Sequence, residues 1–461
     1  MYDVAIIGAG PAGLFAAYEL IENNNNLKVA LLDKGNFAKN RSCPLQVHAT
    51  SCLNCNPCAI LSGYGGAGTF SDGKLNFIPK IGKTDLFKYM TEDEAYKLID
   101  DTEEIFNKFN MDSISYPSNM EKALEIKKNI EEKGAKLLII KQKHLGSDKL
   151  PIYIQKFTDY LINKGVDVLE GADVLDVNIK SDSEFDVEYK YNNERKVLTS
   201  KNVIIAPGRT GAKWIEELVE KYDIPYFSDS IELGVRVEVN AEVMKDITSI
   251  IYDPTIFITT PTYKDQIRTF CTNPNGFVAK ENYEGYICVN GHALKDIKSN
   301  NTNFAFISKV TLSHEFANTR AYGEHIASVA NSLAGGKPIM QRLGDLRKNK
   351  QANINCLTVI PTLKDCVEED LALVLPHRII INILEGLDKL NECIPGINSD
   401  DTILYGPEIK FFSNEIVTDN NMKLNGYNMY FIGDGSGKTG NIVSAAATGL
   451  IAARDIIKKV E

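Results

Sequence analysis

No run in these 461 residues is apolar for long enough to cross a bilayer, which takes roughly 20 such residues in a helix. An excess of positive charge is missing too: 51 Lys and Arg stand against 61 Asp and Glu, a net charge of -10. That balance argues against a nucleic-acid partner, whose phosphates need concentrated cations. The opening MYDVAIIGAG lacks a basic segment and a cleavage site, so a cytoplasmic protein is expected. Internal repeats and low-complexity linkers are absent as well. What is present, 44% hydrophobic and 24% charged residues, describes a folded globular chain long enough for two packed units. Nine cysteines is an odd number, and four of them fall between Cys43 and Cys58. Such clustering points to local chemistry rather than to a disulfide framework.

DVAIIGAGPAGLFAAYELIENNNNLKVALLDKG reads strand, tight turn, helix, Asn-rich turn, strand. Val4 to Ile7 is continuously apolar, as suits a parallel strand buried on both faces. Gly8, Gly10 and Gly13, with Ala12 among them, take the dinucleotide fingerprint. The first glycine permits the turn, the second lets backbone approach a pyrophosphate, and the third lets helix and strand pack closely. Asp33, followed by Lys34, ends the second strand where an acidic side chain can bind ribose hydroxyls.

Two further segments select the nucleotide. KNVIIAPGRTGAKWIEEL is an apolar strand ending in Ala206, Pro207 and Gly208, and NMYFIGDGSGKTGNIVSAAATGLIAARDI is a strand ending at Gly433 and Asp434 before a turn and a small-residue helix. GDGSGKT is no phosphate-binding P-loop: three residues separate Gly433 from Gly437 where four are needed, and Lys438 reads as a solvated loop cation. Together these segments resemble the FAD-binding fold of the glutathione reductase and p-hydroxybenzoate hydroxylase type. The resemblance implies that Asp434 holds the ribityl chain, that the helix N-terminus at Asn441 and Ile442 faces the flavin pyrimidine, and that Val174 in GVDVLEGADVLDVNIK meets the adenine.

SCLNCNPCAILSGYGGAGTFSDGKL holds a second G-x-G-x-x-G at Gly63, Gly65 and Gly68, but neither a buried strand before it nor an amphipathic helix after it. It is therefore expected to be a loop returning across the cofactor, with Gly65, Gly66, Ala67, Gly68, Ser71 and Asp72 facing the flavin. Arg41 is either a phosphate contact or a plain surface arginine. With RTFCTNPNGFV, VNGHALKDIKSNNTNFAF and YGPEIKFFS, this stretch and the terminal segment resemble a bacterial family of largely uncharacterised FAD-dependent dehydrogenases. The resemblance spans nearly the whole chain and implies FAD as resident cofactor without naming a substrate.

Cys43, Cys52, Cys55 and Cys58 leave three readings open: an iron-sulfur cluster, zinc, or free redox-active thiols beside the flavin. The expected organisation is an α/β FAD-binding domain, 1–78, 141–230 and 396–461, interrupted by a helical insertion, 79–140, and a β-rich substrate domain, 231–395. In the insertion, Thr91 and Glu94 make a capping box. His144 and His292 are expected on tight turns, as proton donors or bonded to their own loops. Cys271 is expected in a loop, facing the ring or as a structural thiol, and Tyr405 in a stacking or core role. The leading expectation is an enzyme exchanging hydride between flavin N5 and a small organic substrate, with activated C=C reduction suggested by analogy. The alternative is an electron-transfer relay through the cysteine loop. With only one contextual fingerprint, the electron donor is a transiently docked NAD(P)H or a ferredoxin-type protein.

Overall fold

The computed structural model describes residues 1–461 except 45–52, 54, 72, 147, 229, 284, 295, 313–318, 354–357 and 461. It divides into two compact units, Met1–Ser113 with Ser147–Asp229 and Phe412–Glu461, and Ile114–Gly146 with Ser230–Phe411.

In the first unit the apolar run becomes the strand Tyr2–Ile7, with Val4, Ala5 and Ile6 fully buried. It pairs in parallel with Val29–Asp33 on one side and with the end of Glu194–Ile205 on the other. Asp167–Glu170 extends the sheet beyond Val29–Asp33, and Met429–Phe431 pairs in parallel with Val203 to Ile205. The first half of Glu194–Ile205 instead continues an antiparallel meander with Glu184–Tyr191 and Asp173–Ser181. Helix Pro11–Asn23 starts with proline at its first turn, where the missing N–H costs nothing. It packs on the C-terminal helix Ile442–Val460 so closely that a Cβ on Gly449 would lie 2.2 Å from Ala12 O. Helices Glu92–Lys108 and Leu150–Asn163 close its outer flank through Phe15, Phe106, Phe109 and Phe157, the last two stacked at 4.1 Å. Each buried ring contributes about 2–3 kcal/mol. The Thr91–Glu94 capping box forms as expected.

The second unit is built on an eight-stranded sheet. Its order is Val367–Glu368, Ile339–Arg342, Ile403–Lys410, Ile231–Asn240, Asn301–Val310, Gln266–Asn273, Thr255–Thr259, Lys136–Leu138. All its pairings are antiparallel but the first. Alternation in IELGVRVEV places Leu233, Val235, Val237 and Val239 on an apolar face with Phe304 and Phe306, against helix His377–Cys393. The opposite face carries Glu232, Arg236 and Glu238, and all three are buried. They are held by partners: Arg268 at 2.6 Å for Glu232, Glu408 at 2.6 Å for Arg236, and the Tyr405 hydroxyl at 2.6 Å for Glu238.

The units do not follow the expected boundaries. Residues 79–140 divide between them, because Lys136–Leu138 pairs with Thr255–Thr259 while Glu92–Lys108 packs in the first unit. The second unit runs to Phe411 rather than 395, since Ile403–Lys410 is an interior strand of its sheet.

Candidate cofactor site

The site lies in the first unit, at the ends of its parallel strands. Gly8 has φ +102, and a Cβ there would lie 2.2 Å from Ala206 O, so two strand ends meet over a bare backbone. A Cβ on Gly13 would lie 1.9 Å from Gly8 O. Gly10 differs from both. Its φ of -71 suits any residue, and a Cβ would meet only Gly66 Cα, at 3.9 Å. Among the described residues, no neighbouring atom demands glycine at this position. The opening of the helix is thus stripped of side chains toward open space, which fits a pyrophosphate approaching the free N–H groups there.

Asp33 accepts from Ala9 N and from Gly35 N, both at 2.8 Å, so its carboxylate braces the turn it ends. Burial pushes its carboxyl up, and these two N–H groups oppose that shift. Lys34 beside it is half-buried.

The glycine loop returns to the fingerprint turn: a Cβ on Gly66 would lie 3.2 Å from Gly10 Cα, and one on Gly68 3.2 Å from the Ile442 side chain. Gly63, Gly65 and Gly66 all have positive φ, and the chain then winds into a 3-10 turn, Gly66–Phe70, containing Ala67. Ser71 donates to Gly68 O at 2.8 Å. Asp72 lies outside the described residues.

Arg41 requires a correction. It is 6% exposed, so it is no surface arginine, and its donors are directed at this loop. Nε donates to Ala59 O, Nη1 to Tyr64 O, Gly66 O and Thr69 Oγ1, and Nη2 to Ile60 O, all within 2.7–3.0 Å. Four carbonyls and the Thr69 hydroxyl thus engage the guanidinium, which clasps the loop. Burial pulls its pKa down to about 10.

At the other strand ends, Gly208 and Gly433 have positive φ, and a Cβ on Gly435 would lie 2.3 Å from Gly208 O. Arg209 Nε meets Asp434 Oδ2 at 2.9 Å across the same junction. Gly433 approaches Ala12, whose Cβ would lie 3.2 Å from an added one. Asn441 caps the C-terminal helix, accepting from Ser444 N at 2.9 Å, and its Nδ2 lies 3.3 Å from Thr84 Oγ1. Val174 sits at an irregularity in the meander, opposite Tyr189. The fold thus gathers Gly10, Ala12, Gly66, Gly68, Gly433 and Ile442 into adjoining turns.

Sequence reasoning missed Arg209, Thr84 and the state of Lys438. Arg209 stands inside APGRTG and was open to notice; Thr84, 357 residues from Asn441, carries no local signal. Lys438 is not a solvated cation: it is 4% exposed and donates to Ile416 O at 2.6 Å.

The expected proton donors lie in the second unit, on strands rather than turns or loops. His144 ends the strand Lys141–His144 and stacks on Tyr252 with centroids 4.5 Å apart. His292 ends Tyr286–His292 and stacks on Phe277 at 5.8 Å. Cys271 belongs to Gln266–Asn273, where a register irregularity gives it φ +51. Residues 271–273 escaped the alternation because a bulge interrupts the period of two. Tyr405 is fully buried, in the core role. Of the four clustered cysteines, Cys52 lies outside the described residues; Cys43 and Cys58 are half-buried and Cys55 is exposed. Among the described residues no three His, Cys, Asp or Glu side chains are grouped as metal ligands, and no helix is long and apolar enough to cross a membrane.

Two family models match the chain: pyridine nucleotide-disulphide oxidoreductase over residues 2–222, and FAD-dependent protein, C-terminal domain-like, over residues 230–410. A curated relative, an uncharacterized protein of Clostridium beijerinckii, is 24% identical over 480 residues, covering 99% of this chain and 81% of the relative. Among solved structures, a flavoprotein/dehydrogenase from Cytophaga hutchinsonii is 10% identical with a TM-score of 0.39, over 100% of this chain and 78% of that one. The glycerol-3-phosphate dehydrogenase from Bacillus halodurans complexed with FAD is 10% identical with a TM-score of 0.40, over 100% of this chain and 65% of that one. Both structural likenesses are remote. With a pyridine nucleotide-disulphide oxidoreductase model matched over residues 2–222 and an FAD-dependent protein C-terminal domain over residues 230–410, the protein is an FAD-dependent oxidoreductase.

Proposed function

We propose that the protein exchanges hydride between bound FAD and a small organic substrate. Gly10 carries this reading, as a glycine whose φ and protein neighbours leave it free to be another residue. Gly8, Gly10, Ala12, Gly13, Asp33, Lys34 and Val174 would hold the adenosine end. Gly66, Ala67, Ser71, Asp72, Ala206, Gly208, Gly433, Asp434, Asn441 and Ile442 would hold the flavin end. FAD supplies two-electron redox chemistry when bound. The chain's part is to orient it: Asp434 is held in place by Arg209, and Asn441 fixes the start of a 19-residue helix whose dipole favours negative charge. His144, His292 and Cys271 stay the proposed proton donors. Reduction of an activated C=C bond is a narrower proposal resting on fold analogy alone.

Reconstitution with FAD followed by stopped-flow reduction with NADH, NADPH and reduced ferredoxin tests the reading. A rapid donor identifies the electron source and the direction. Protein that takes up no FAD defeats the proposal.

A second reading, a redox relay to a partner protein, is favoured by Arg41. Its bonds to Ala59 O and Ile60 O as well as to Tyr64 O and Gly66 O tie the residues that follow Cys58 to the glycine loop. Iron and sulfide analysis of anaerobically prepared protein, with Cys52→Ser and Cys55→Ser, separates the two: a stoichiometric cluster lost in both variants supports the relay, and its absence supports the enzyme with free thiols.

A further inference from the structure

The turn 433–441 carries three of the proposed cofactor contacts, Gly433, Asp434 and Asn441, with Ile442 next along the chain, and Lys438 stands in its middle. Lys438 reaches back into the protein instead of outward, with Nζ donating to Ile416 O at 2.6 Å. The adjoining backbone is tied at the same place. Ile416 N donates to Ser436 O at 3.1 Å, and a Cβ on Gly437 would lie 2.3 Å from Asn414 O. The strand Glu415–Ile416 and the turn are therefore fastened by one side chain and one backbone bond.

The surroundings of this ammonium are unusual for a buried charge. Its hydrogen-bond partner is a carbonyl, and the Tyr89 ring lies 5.3 Å away. Glu415 is the nearest carboxylate in influence, yet it is already engaged by Lys88 at 3.0 Å and by the Tyr89 hydroxyl at 3.0 Å. Lys83 and Lys88 repel Lys438, while Asp419 attracts it. A buried cation paired mainly with a neutral group is costly to keep charged. Burial accordingly pulls its pKa down to about 8.

We propose that Lys438 is a positioning residue for the cofactor, pinning the 433–441 turn to the strand Glu415–Ile416 and offering a buried positive charge that an anionic dinucleotide favours, so that FAD binding and protonation of Lys438 are coupled. The proposal rests on the assignment of FAD to this site. Its physical content is reciprocal linkage: if the charged form of Lys438 favours FAD, bound FAD raises the pKa of Lys438 by the same free energy. In the flavin-free protein the ammonium is lost as pH rises through about 8. Affinity is then highest below that pH and falls above it, until the raised pKa of the loaded protein is reached.

The experiment is titration of FAD onto the flavin-free full-length protein by fluorescence, across pH, for wild type, Lys438→Met and Lys438→Arg, with circular dichroism melting of each. Wild-type affinity should fall by about tenfold between about pH 7.5 and about pH 9.5. Lys438→Arg, charged throughout, should stay tight and flat. Lys438→Met should be flat and about tenfold weaker at the lower pH, and also reports any titration belonging to the flavin itself. A wild-type profile that is flat, or a methionine variant with the wild-type slope, overturns the coupling while leaving FAD at the site. Wild-type protein that takes up no FAD at any pH removes the cofactor assignment and the coupling together. If neither variant folds, the wild-type profile is read against the pH titration of free FAD: a fall in affinity centred at about pH 8, where free FAD does not titrate, supports the coupling, and a profile that follows free FAD or is flat overturns it.

Discussion

Arg209 Nε and Asp434 Oδ2 lie 2.9 Å apart, joining the turn after Glu194–Ile205 to the turn after Met429–Phe431. Two strand ends that pair in parallel are thereby linked a second time, through charge. Asp434→Ala should weaken FAD binding by about 1.5–3 kcal/mol, the cost of a charged hydrogen bond, and should alter the flavin spectrum. Arg209→Met leaves the carboxylate in place but unsteadied, so its loss should be smaller. The double variant should lose less than the sum, a coupling that FAD titration of all four proteins measures.

Gly10 and Gly13 should separate cofactor binding from folding. Gly10→Ala puts its methyl 3.9 Å from the nearest backbone atom, so the flavin-free protein should keep its stability within about 1 kcal/mol. Its affinity for FAD should fall by at least about tenfold, since the methyl points where a pyrophosphate would pass. Gly13→Ala forces its methyl onto Gly8 O and should destabilise the flavin-free protein itself, by about 1–3 kcal/mol. Thermal melting and FAD titration of both variants check the contrast; equal melting losses would place the two glycines in the same role.

Arg41→Lys keeps the charge and removes the fork. One ammonium cannot serve the five acceptors now reached by the guanidinium, so buried carbonyls of the loop lose partners. The expected result is a loss of about 2–4 kcal/mol in urea unfolding and faster proteolytic cleavage near residues 59–70. Unchanged cleavage would show that the glycine loop holds itself.

Glu232 and Arg268 test the buried polar face of the second unit. Burial alone would push the Glu232 carboxyl up, but Arg268, aided by Lys410 and Lys309, outweighs it and holds the carboxyl below its ordinary range. A lowered carboxylate pKa contributes stability above the unfolded value, about 4.3, and loses it as pH falls through the folded value. Arg268→Met removes the main partner and should cost about 3–5 kcal/mol near neutral pH. The stranded carboxyl then rises, so protonation relieves it: the gap in melting temperature between variant and wild type should narrow from about pH 7 to about pH 4. A constant gap would mean that Lys410 and Lys309 suffice.

The features legible in the sequence are those that neighbours along the chain decide. The strand, Gly turn and helix of the fingerprint, the capping box of Thr91 with Glu94, and the alternation of Ile231 to Asn240 each depend on spacings of two to five residues. Hydrophobic period and local hydrogen bonding act at that range, so composition and order suffice to read them. The same holds for the choice against a P-loop, a matter of counting residues. Partners and burial are settled differently. Lys438 is polar in a glycine-rich turn, and nothing near it announces that Ile416 will supply the carbonyl it meets. Arg41 is clasped into its loop by acceptors 18 to 28 residues away, and Asn441 reaches Thr84 across most of the chain. Cys271 and His144 fall on strands because segments well removed along the chain pair with theirs, whereas His292 ends a local hairpin with Phe277–Tyr283, and Lys136–Leu138 leaves its helical surroundings to join a sheet edge. A side chain's solvation and its partners are properties of whichever segments the fold brings beside it, and only tertiary structure decides those.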